Sequence, residues 1–550
     1  MHCMHRVALA FVITSLLAAP SSWAAAYYQG EIGTRTLARG GANLVRPDDP
    51  SAAWLNPAAL SHASGLQLYI DVNLVFLNSS FVRDCAGIAN GCAAPENVER
   101  SYLATDGKTQ HSYLVEADRP PPNDDAKPGK AEPGFLGNLG TPSRFDGATA
   151  ITNQAGVQPI PRLMISFNAD SLGLDGVGLG AYFFAPNNGD YNFGEDTATR
   201  YTLIDRDLLE LYYGIAAAYR FGDYIGVGAG LQFVTAGLNQ SVRLSADQNS
   251  NEDPNFDIQI RVTGQQDFIP SGNFGVWTNP GKILGIGDLE FAGSVQLGRT
   301  VRATGPITIE SLGPSLVSDF LDPDGDPATP GLIALDVADD ATATAEFELA
   351  PFYRVGARYG NAVGEDMSFD VEADFVYEAW SVYDHVFLST KGVTTDFNPG
   401  DDTPGTELAP VIQPKEWNDA WSARLGGTFN MFDKALQIHG GGFYETSAIP
   451  SKTYSVELVC GDKVGVGAGL SGKLYGVRLD VGYSHIFVFD RTVGNESIVY
   501  NGSSGRSILL DADTRTRVAM GKYSASFDML NSALNVGFDE LFAFGTYAPQ

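Results

Sequence analysis

The stretch ATAEFELAPFYRVGARY, residues 343–359, alternates between apolar and polar side chains along its whole length. Its odd positions are almost all apolar: Ala345, Phe347, Leu349, Pro351, Tyr353, Val355, Ala357 and Tyr359. Its even positions are mostly polar and include Thr344, Glu346, Glu348, Arg354 and Arg358. Because successive side chains of a β-strand point to opposite faces, the pattern predicts a strand with one apolar and one polar face.

Runs of this kind recur through the chain and are long. Strands of soluble sandwiches average about 5–6 residues, whereas a strand that crosses a membrane needs about 9–11. We count fourteen runs, at 66–82, 159–169, 176–186, 208–221, 224–245, 256–279, 288–310, 341–360, 366–389, 417–431, 435–448, 463–475, 477–491 and 519–543. Their length and aromatic apolar faces favour a membrane barrel over a soluble sandwich.

The connections between the runs alternate in length, which indicates how the strands are arranged. The predicted long loops are 83–158, 187–207, 246–255, 311–340, 390–416, 449–462 and 492–518. Bacterial outer-membrane barrels have an even number of strands, short periplasmic turns and long external loops. The fold class is therefore all-β, an antiparallel fourteen-stranded transmembrane β-barrel formed by residues 65–545.

The beginning of the 550-residue chain has the features of a secretion signal. A basic residue, Arg6, precedes an apolar run from Val7 to Ala19, and small residues follow at Ser22, Ala24 and Ala26. The apolar run is shorter than the roughly 20 residues that a membrane-spanning helix requires. We therefore expect a signal peptide at residues 1–25 that is removed on export.

Charge and cysteine content restrict the partners and the compartment. The formal net charge of −30 makes nucleic acid an improbable partner, because nucleic-acid binding needs a positive surface. Cys85 and Cys92 lie close together in a polar segment, and we expect a disulfide between them in an oxidising compartment. Cys460 has no evident partner. We expect no cofactor, since no helix follows the glycine-rich runs at 225–233 and 464–472, as a dinucleotide site requires.

Residues 26–64 precede the first strand and follow neither a helical nor a strand period. A fourteen-stranded barrel has a lumen wider than side chains can fill, so this segment is suited to plug it. Gly40 and Gly41 permit tight turns, and Pro57 restricts its own φ angle and the conformation of Asn56. The sequence therefore predicts a hatch domain at residues 26–64.

Within that segment, GTRTLARGGANLVRPDDPSAAWLNPAAL (33–60) resembles the N-terminal hatch of the FadL family of outer-membrane transporters for long-chain fatty acids and hydrocarbons. The Asn-Pro-Ala motif of that hatch is matched by Asn56, Pro57 and Ala58. The resemblance continues through DVEADFVYEAWSVYDHV (370–386), through residues 417–451 and through LDVGYSHIFVFDR (479–491).

The resemblance implies a function and a set of partners. It implies passive uptake of a hydrophobic ligand, either a fatty acid or a hydrocarbon, with movement of the hatch. The ligand would leave sideways through the wall near the third strand, GVGLGAYFFAP at 176–186. We expect a monomer in the bacterial outer membrane, in contact with membrane lipid and lipopolysaccharide.

Charged residues on the inner face of the barrel have two interpretations. Arg354 and Arg358 share a face, and the next strand places Asp370, Glu372 and Asp374 on its own inner face. Cross-strand ion pairs are the expected outcome. The alternative is that one of the arginines binds the carboxylate of a cargo molecule.

A loop at residues 321–331 holds Asp322, Asp324 and Asp326 at alternate positions, as oxygen ligands of Ca²⁺ often are. The loop lacks the sixth-position glycine and the closing glutamate of an EF-hand. A weak calcium site and a solvated acidic turn both fit this sequence, and we favour the acidic turn.

Two other functions compete with hydrophobic transport. A general or ion-selective porin would have the same strands, but a permanently open pore does not need a hatch. A lipid-acting barrel enzyme can carry a histidine and a serine two residues apart on one strand face. The single His-x-Ser sequence here is His62–Ser64, which precedes the first strand, so we expect no enzymatic activity.

Overall fold

The computed structural model describes residues 32–84, 97–103, 110–116, 150–185, 190–195, 197–245, 257–311, 334–396, 406–500 and 517–545. The expected signal peptide, the Cys85–Cys92 pair and the three aspartates at 322, 324 and 326 lie outside these ranges, and those expectations remain predictions.

Twenty-one hydrogen-bonded segments make up fourteen strands, because six strands are interrupted by bulges or short irregular stretches. The first seven strands are β1 Leu66–Arg83, β2 Ile151–Thr152 with Gln158–Asn168, β3 Val177–Phe184 with Tyr191–Asn192, β4 Asp205–Phe221, β5 Ile225–Ser245, β6 Asp257–Thr278 and β7 Asp288–Gln296 with Arg299–Ser311. The next three are β8 Ala334–Leu349 with Phe352–Ala362, β9 Ser368–Glu378 with His385–Asp396, and β10 Thr406–Glu407 with Val411–Pro414 and Ala420–Met431. The last four are β11 Leu436–Glu445, β12 Lys463–Leu474, β13 Val477–Val493 and β14 Gly521–Gly537.

Every strand pairs antiparallel with the next one along the chain, and β14 pairs with β1 from Gly521 opposite Arg83 to Gly537 opposite Gln67. The sheet is therefore closed, which confirms the predicted fourteen-stranded antiparallel barrel. A separate two-stranded hairpin, Asn97–Leu103 with Gln110–Glu116, lies in the long β1–β2 connection.

The outer surface of the barrel is apolar, as the alternating pattern predicts for a wall that faces lipid. Large exposed side chains on this surface include Phe183, Ile215, Leu231, Phe274, Val355, Val371, Leu425, Ile438, Leu470 and Val481. No helix among the described residues is long and apolar enough to cross a lipid bilayer.

Strand β8 differs from the prediction because its two halves present opposite faces. The sequence pattern placed all the odd residues on one face. In the structure Phe347 and Leu349 are buried, whereas Tyr353 and Val355 are exposed. The ladder is interrupted at residues 350–351, and a one-residue shift moves every following side chain to the other face. The long-loop half of β8 therefore points apolar side chains into the barrel.

Two strand boundaries also differ from the prediction. The run at 366–389 is divided by a 3₁₀ turn, Trp380–Val382, and the run at 519–543 ends at Gly537. An α-helix, Phe538–Gly545, follows directly. Aromatic and aliphatic residues continue past Gly537, so the composition of this segment did not reveal where the ladder stops.

Candidate functional site

Residues 32–64, which we call the inner segment, lie inside the barrel at the end that carries the short connections. The segment contains the short helices Thr34–Ala38 and Ala52–Leu55 and the 3₁₀ helix Pro57–His62. It makes hydrogen bonds with strands on several sides of the wall. The Thr34 hydroxyl donates to Asn531 of β14, Asn273 of β6 donates to the Ala53 carbonyl, and Ser294 of β7 donates to the Leu55 carbonyl.

Arg39 provides a buried ionic anchor between the inner segment and the wall. Its guanidinium donates to Asp370 at 2.6 Å, to Thr428 at 2.6 Å and to Glu372 at 3.1 Å. Its Nε donates to the Ala42 carbonyl at 2.7 Å. The Arg39 side chain is only 3% exposed, so these charges interact with little screening by water.

The carboxylates of β9 also bind the backbone of the inner segment. Asp374 accepts the N–H groups of Asn43 at 3.1 Å and Leu44 at 3.2 Å. Glu372 accepts the N–H of Val45 at 2.7 Å. Charge-assisted hydrogen bonds of this kind are stronger than bonds between neutral groups. Strand β9 therefore fixes the position of the segment along the wall.

The structure places the two predicted lumen arginines in different surroundings. Arg358 pairs with Asp370 at 3.5 Å and with Glu290 of β7 at 2.5 Å. Arg354 donates to the Gln296 side chain at 3.4 Å and lies 5.5 Å from the ring centroid of Phe352. The sequence reading did not include Arg39. The sequence contained one indication of a further basic partner: the predicted inner acids Asp370, Glu372 and Asp374 outnumber the two predicted inner arginines of β8.

The Asn-Pro-Ala motif connects two parts of the inner segment with each other and with β6. It consists of Asn56, Pro57 and Ala58. The Asn56 side chain is fully buried, and its oxygen accepts the Ala58 N–H at 3.1 Å. Its amide group lies 3.3 Å from the Leu44 carbonyl and 3.4 Å from the Val276 carbonyl, to which it donates. Pro57 is the first residue of the 3₁₀ helix, where the absence of an N–H group has no cost.

Replacing Asn56 with alanine should weaken the attachment of the inner segment by about 1–3 kcal/mol, because a buried N–H group and two carbonyl groups lose this partner. The barrel should remain folded, since its ladders begin at Leu66. Proteolysis of the inner segment in micelles should be faster, and Asn361→Ala on the exposed surface should not change its rate. An unchanged rate of proteolysis in Asn56→Ala would show that Asn56 does not hold the segment.

Gly40 and Gly41 occupy positions where other residues do not fit. Their φ angles of 61° and 82° lie in the left-handed region that favours glycine. A Cβ atom at Gly40 would overlap the backbone of Gly442, and one at Gly41 would overlap Arg424. Glycines of the wall allow the same close approach from the other side: Gly178, Gly228, Gly426, Gly441 and Gly467.

A second ionic cluster joins the inner segment to β13. Arg478 of β13 lies 3.4 Å from Asp48, 3.6 Å from Asp49 and 3.1 Å from Asp480. Arg35 also pairs with Asp48. The segment is therefore held by charge pairs on two sides of the lumen, at β9 and at β13.

His62 closes the 3₁₀ helix and contacts the wall through Trp277, with ring centroids 4.1 Å apart. Burial, together with the positive charge of Arg46, lowers the pKa of His62 from 6.5 to about 3. The folded protein therefore disfavours protonated His62, whereas an exposed histidine accepts a proton near pH 6.5. The neutral His62 side chain therefore stabilises the attachment of the inner segment fully above pH 6.5. This stabilisation declines as the pH falls toward 3.

Phenylalanine cannot be protonated. Replacing His62 with phenylalanine should therefore make the attachment of the inner segment less sensitive to a fall in pH from 6.5 to 4. The measurement is the rate of proteolysis of the inner segment in micelles at a series of pH values. His385→Phe is the control, because its side chain is 47% exposed on β9. Equal pH dependence in His62→Phe and the unmodified protein would show that His62 does not contribute.

Residues 341–527 match the model of a family described as "Outer membrane protein transport protein (OMPP1/FadL/TodX)". The resemblance to the FadL family is confirmed. No curated protein matches the sequence.

Solved structures show the same FadL-like fold over nearly the whole chain. A FadL homologue from Pseudomonas aeruginosa aligns with a TM-score of 0.65 and 14% identity, over 94% of this chain and 100% of that one. The toluene transporter TodX of Pseudomonas putida aligns with a TM-score of 0.55 and 13% identity, over 94% and 100%. The toluene transporter TbuX of Ralstonia pickettii gives 0.53 and 13%, over 92% and 99%.

The FadL-like wall is irregular at β3. Phe184 ends the first part of the β3 ladder, which resumes at Tyr191. Residues 186–189 lie outside the described ranges, and Ala185 and Asp190 on either side of them are not part of a ladder. The sequence predicted that this strand runs to residue 186, and the described segment ends at Phe184.

Four rings lie beside this interruption. Trp54 of the inner segment has ring centroids 4.9 Å from Phe184, 4.9 Å from Tyr212 and 5.8 Å from Tyr182, all in edge-to-face geometry. We call the three wall rings, Tyr182, Phe184 and Tyr212, the aromatic box. Sequence alternation could not reveal its contact with Trp54, because the box comes from β3 and β4 and Trp54 from the inner segment.

A further aromatic cluster lies toward the long loops. Trp417 is 4.3 Å from Tyr383 and 5.4 Å from Trp380, and Phe352 is 6.1 Å from Trp380. All four rings are buried. The long-loop half of this FadL-like barrel thus contains buried aromatic rings together with buried ion pairs, such as Arg299 with Glu210 and Lys463 with Glu445. Within the described part of the chain, no group of three or more His, Cys, Asp or Glu side chains could hold a metal ion.

Proposed function

We propose that this protein admits hydrophobic small molecules through the bacterial outer membrane by passive diffusion, with the inner segment as a movable hatch. The observation that carries the proposal is the location of the inner segment. It fills the charged end of the lumen and is held there by side-chain contacts, such as those of Arg39 and Asn56. Contacts of this kind can break and re-form without unfolding the barrel.

The comparisons support the type of cargo. Two of the similar structures are described as toluene transporters, and CymD, with a TM-score of 0.52 and 13% identity, is described as a monoaromatic hydrocarbon channel. The aromatic cluster of Phe352, Trp380, Tyr383 and Trp417 suits such molecules, because its rings offer apolar contacts that water does not. Long-chain fatty acids and aromatic hydrocarbons are both within the proposed range.

The route that we propose leads from the long-loop side past this aromatic cluster and then sideways past β3. The end of the described ladder at Phe184 supports this exit, because the next residue, Ala185, forms no ladder pair with β2 or β4. A sideways exit delivers an apolar molecule to the membrane rather than to water, which removes the cost of hydrating it.

The site residues predicted from the sequence have structural roles in the proposed transport. Asn56, Pro57 and Ala58 hold the hatch to β6, and Gly40 and Gly41 shape its turn. The acids Asp370, Glu372 and Asp374 bind the hatch, and Arg358 balances their charge. We favour this structural role over capture of a cargo carboxylate, because these acids already surround the basic groups. The protein would act as a monomer among outer-membrane lipid and lipopolysaccharide.

The alternative function is a general or ion-selective porin. Reconstituted liposomes separate the two functions when swelling with small sugars is measured beside uptake of radiolabelled toluene and oleate. Hydrophobic transport predicts saturable uptake of one of these molecules with little swelling. Rapid swelling without saturable uptake would overturn the proposal and establish the porin.

A further inference from the structure

Trp54 has an unusual position for a buried core residue. Its indole comes from the inner segment and is 1% exposed, whereas the three rings that it contacts belong to the wall. Any movement of the inner segment therefore separates the indole from the aromatic box. The box also stands at the interruption of β3, because Phe184 is the last residue of the ladder there.

The polar groups around the aromatic box interact with one another. The Tyr182 hydroxyl donates to the Gln232 side chain at 3.0 Å, and the Tyr212 hydroxyl donates to Glu210 at 2.8 Å. Arg299 lies 3.7 Å from Glu210 and 4.7 Å from the centroid of the Tyr212 ring. The positive charge nearest the box thus has an acidic partner, and the surface left for a guest is apolar and aromatic.

We infer that Trp54 is an internal ligand of the aromatic box, occupying the place that a cargo ring takes when the inner segment moves. The inference rests on the proposed transport function and extends it to the selection of cargo. An uncharged aromatic ring can restore the edge-to-face contacts that the indole gives up. A saturated molecule of the same size replaces only the dispersion contacts. The box therefore selects uncharged aromatic molecules over saturated ones.

Emptying the box by mutation tests the inference directly. Full-length Trp54→Ala protein in detergent micelles should bind toluene at least about tenfold more tightly than the unmodified protein, because toluene no longer competes with the indole. Titration calorimetry gives the affinities. Methylcyclohexane, which has the same carbon skeleton without the aromatic ring, should gain much less.

Two further variants distinguish an aromatic site from an unspecific cavity. The first combines Phe184→Leu with Trp54→Ala. Leucine keeps an apolar side chain of similar size at position 184 but removes one ring of the box, so the preference for toluene over methylcyclohexane should fall. Trp421→Ala removes an exposed tryptophan on the lipid-facing surface and should leave both affinities unchanged. Equal binding of the two molecules by Trp54→Ala, or an unchanged preference in the double variant, would overturn the inference.

The milder Trp54→Phe variant covers the case in which Trp54→Ala does not assemble. It leaves a smaller space, and benzene should then bind more tightly than cyclohexane; equal binding of the two would again overturn the inference. These measurements need no transport. A failure of the unmodified protein to take up either toluene or oleate in liposomes would overturn the proposed function, whereas an absence of aromatic preference in micelles would overturn the role of Trp54 alone.

Discussion

Replacing Arg39 with alanine should release the inner segment from β9 and open the lumen to small ions. The guanidinium balances Asp370 and Glu372 in a site where its side chain is 3% exposed. Removing one partner of a buried ion pair typically costs about 3–5 kcal/mol, because the remaining charge is left uncompensated. The ratio of open to closed channels in planar-bilayer recordings should therefore rise by roughly two orders of magnitude or more.

Arg302 provides a matched control for this experiment. It also pairs with a carboxylate, Glu346, but its side chain is 65% exposed, and exposed pairs contribute little. Arg302→Ala should therefore conduct like the unmodified protein. Arg39→Lys keeps the charge with fewer directed donors, so its conductance should be intermediate. A closed Arg39→Ala channel would show that the charged anchor does not hold the segment.

Deleting residues 32–60 should have the largest effect of all. The barrel should still fold, because its strands begin at Leu66 and β1 pairs with β14 without help from the segment. Conductance should rise well above that of the unmodified protein, since a lumen of this strand number is too wide for side chains alone to fill. Saturable uptake of toluene or oleate should disappear, and heat-modifiable mobility in detergent gels checks barrel assembly.

The same deletion makes a prediction about ion selectivity. It exposes Asp370, Glu372 and Asp374 to the pore, so the open channel should prefer cations. Neutralising all three, as Asp370→Asn, Glu372→Gln and Asp374→Asn in the deletion variant, should reduce that preference without closing the channel. If the deletion variant assembles, conducts like the unmodified protein and transports normally, residues 32–60 are not a hatch.

Much of the barrel could be read from the sequence because strand alternation is a local property. A face that meets lipid must be apolar at every second residue, and this requirement is visible in runs such as 367–380 without any tertiary information. Strand number and the alternation of long and short connections follow from counting these runs. Their ends are less certain, as at Gly537, because apolar residues also occur in the helix that follows.

The orientation of the long-loop half of β8 depended on tertiary structure. The pattern from Ala345 to Tyr359 is continuous in sequence, yet the interruption at residues 350–351 reverses the faces. Alternation records which residues share a face but not which face points inward. Packing of Phe347 against Tyr383, at a centroid distance of 5.8 Å, establishes the inward direction here.

The sequence by itself determined the class of fold, the strands and the segment suited to enter the lumen, because each follows from the spacing of residue types along the chain. Only the tertiary structure decided which groups meet there. Arg39 and Asp370 are 331 positions apart, and the aromatic box of strands β3 and β4 meets Trp54 of the inner segment. Such contacts depend on closure of the barrel, which brings distant residues together, and no local period encodes them.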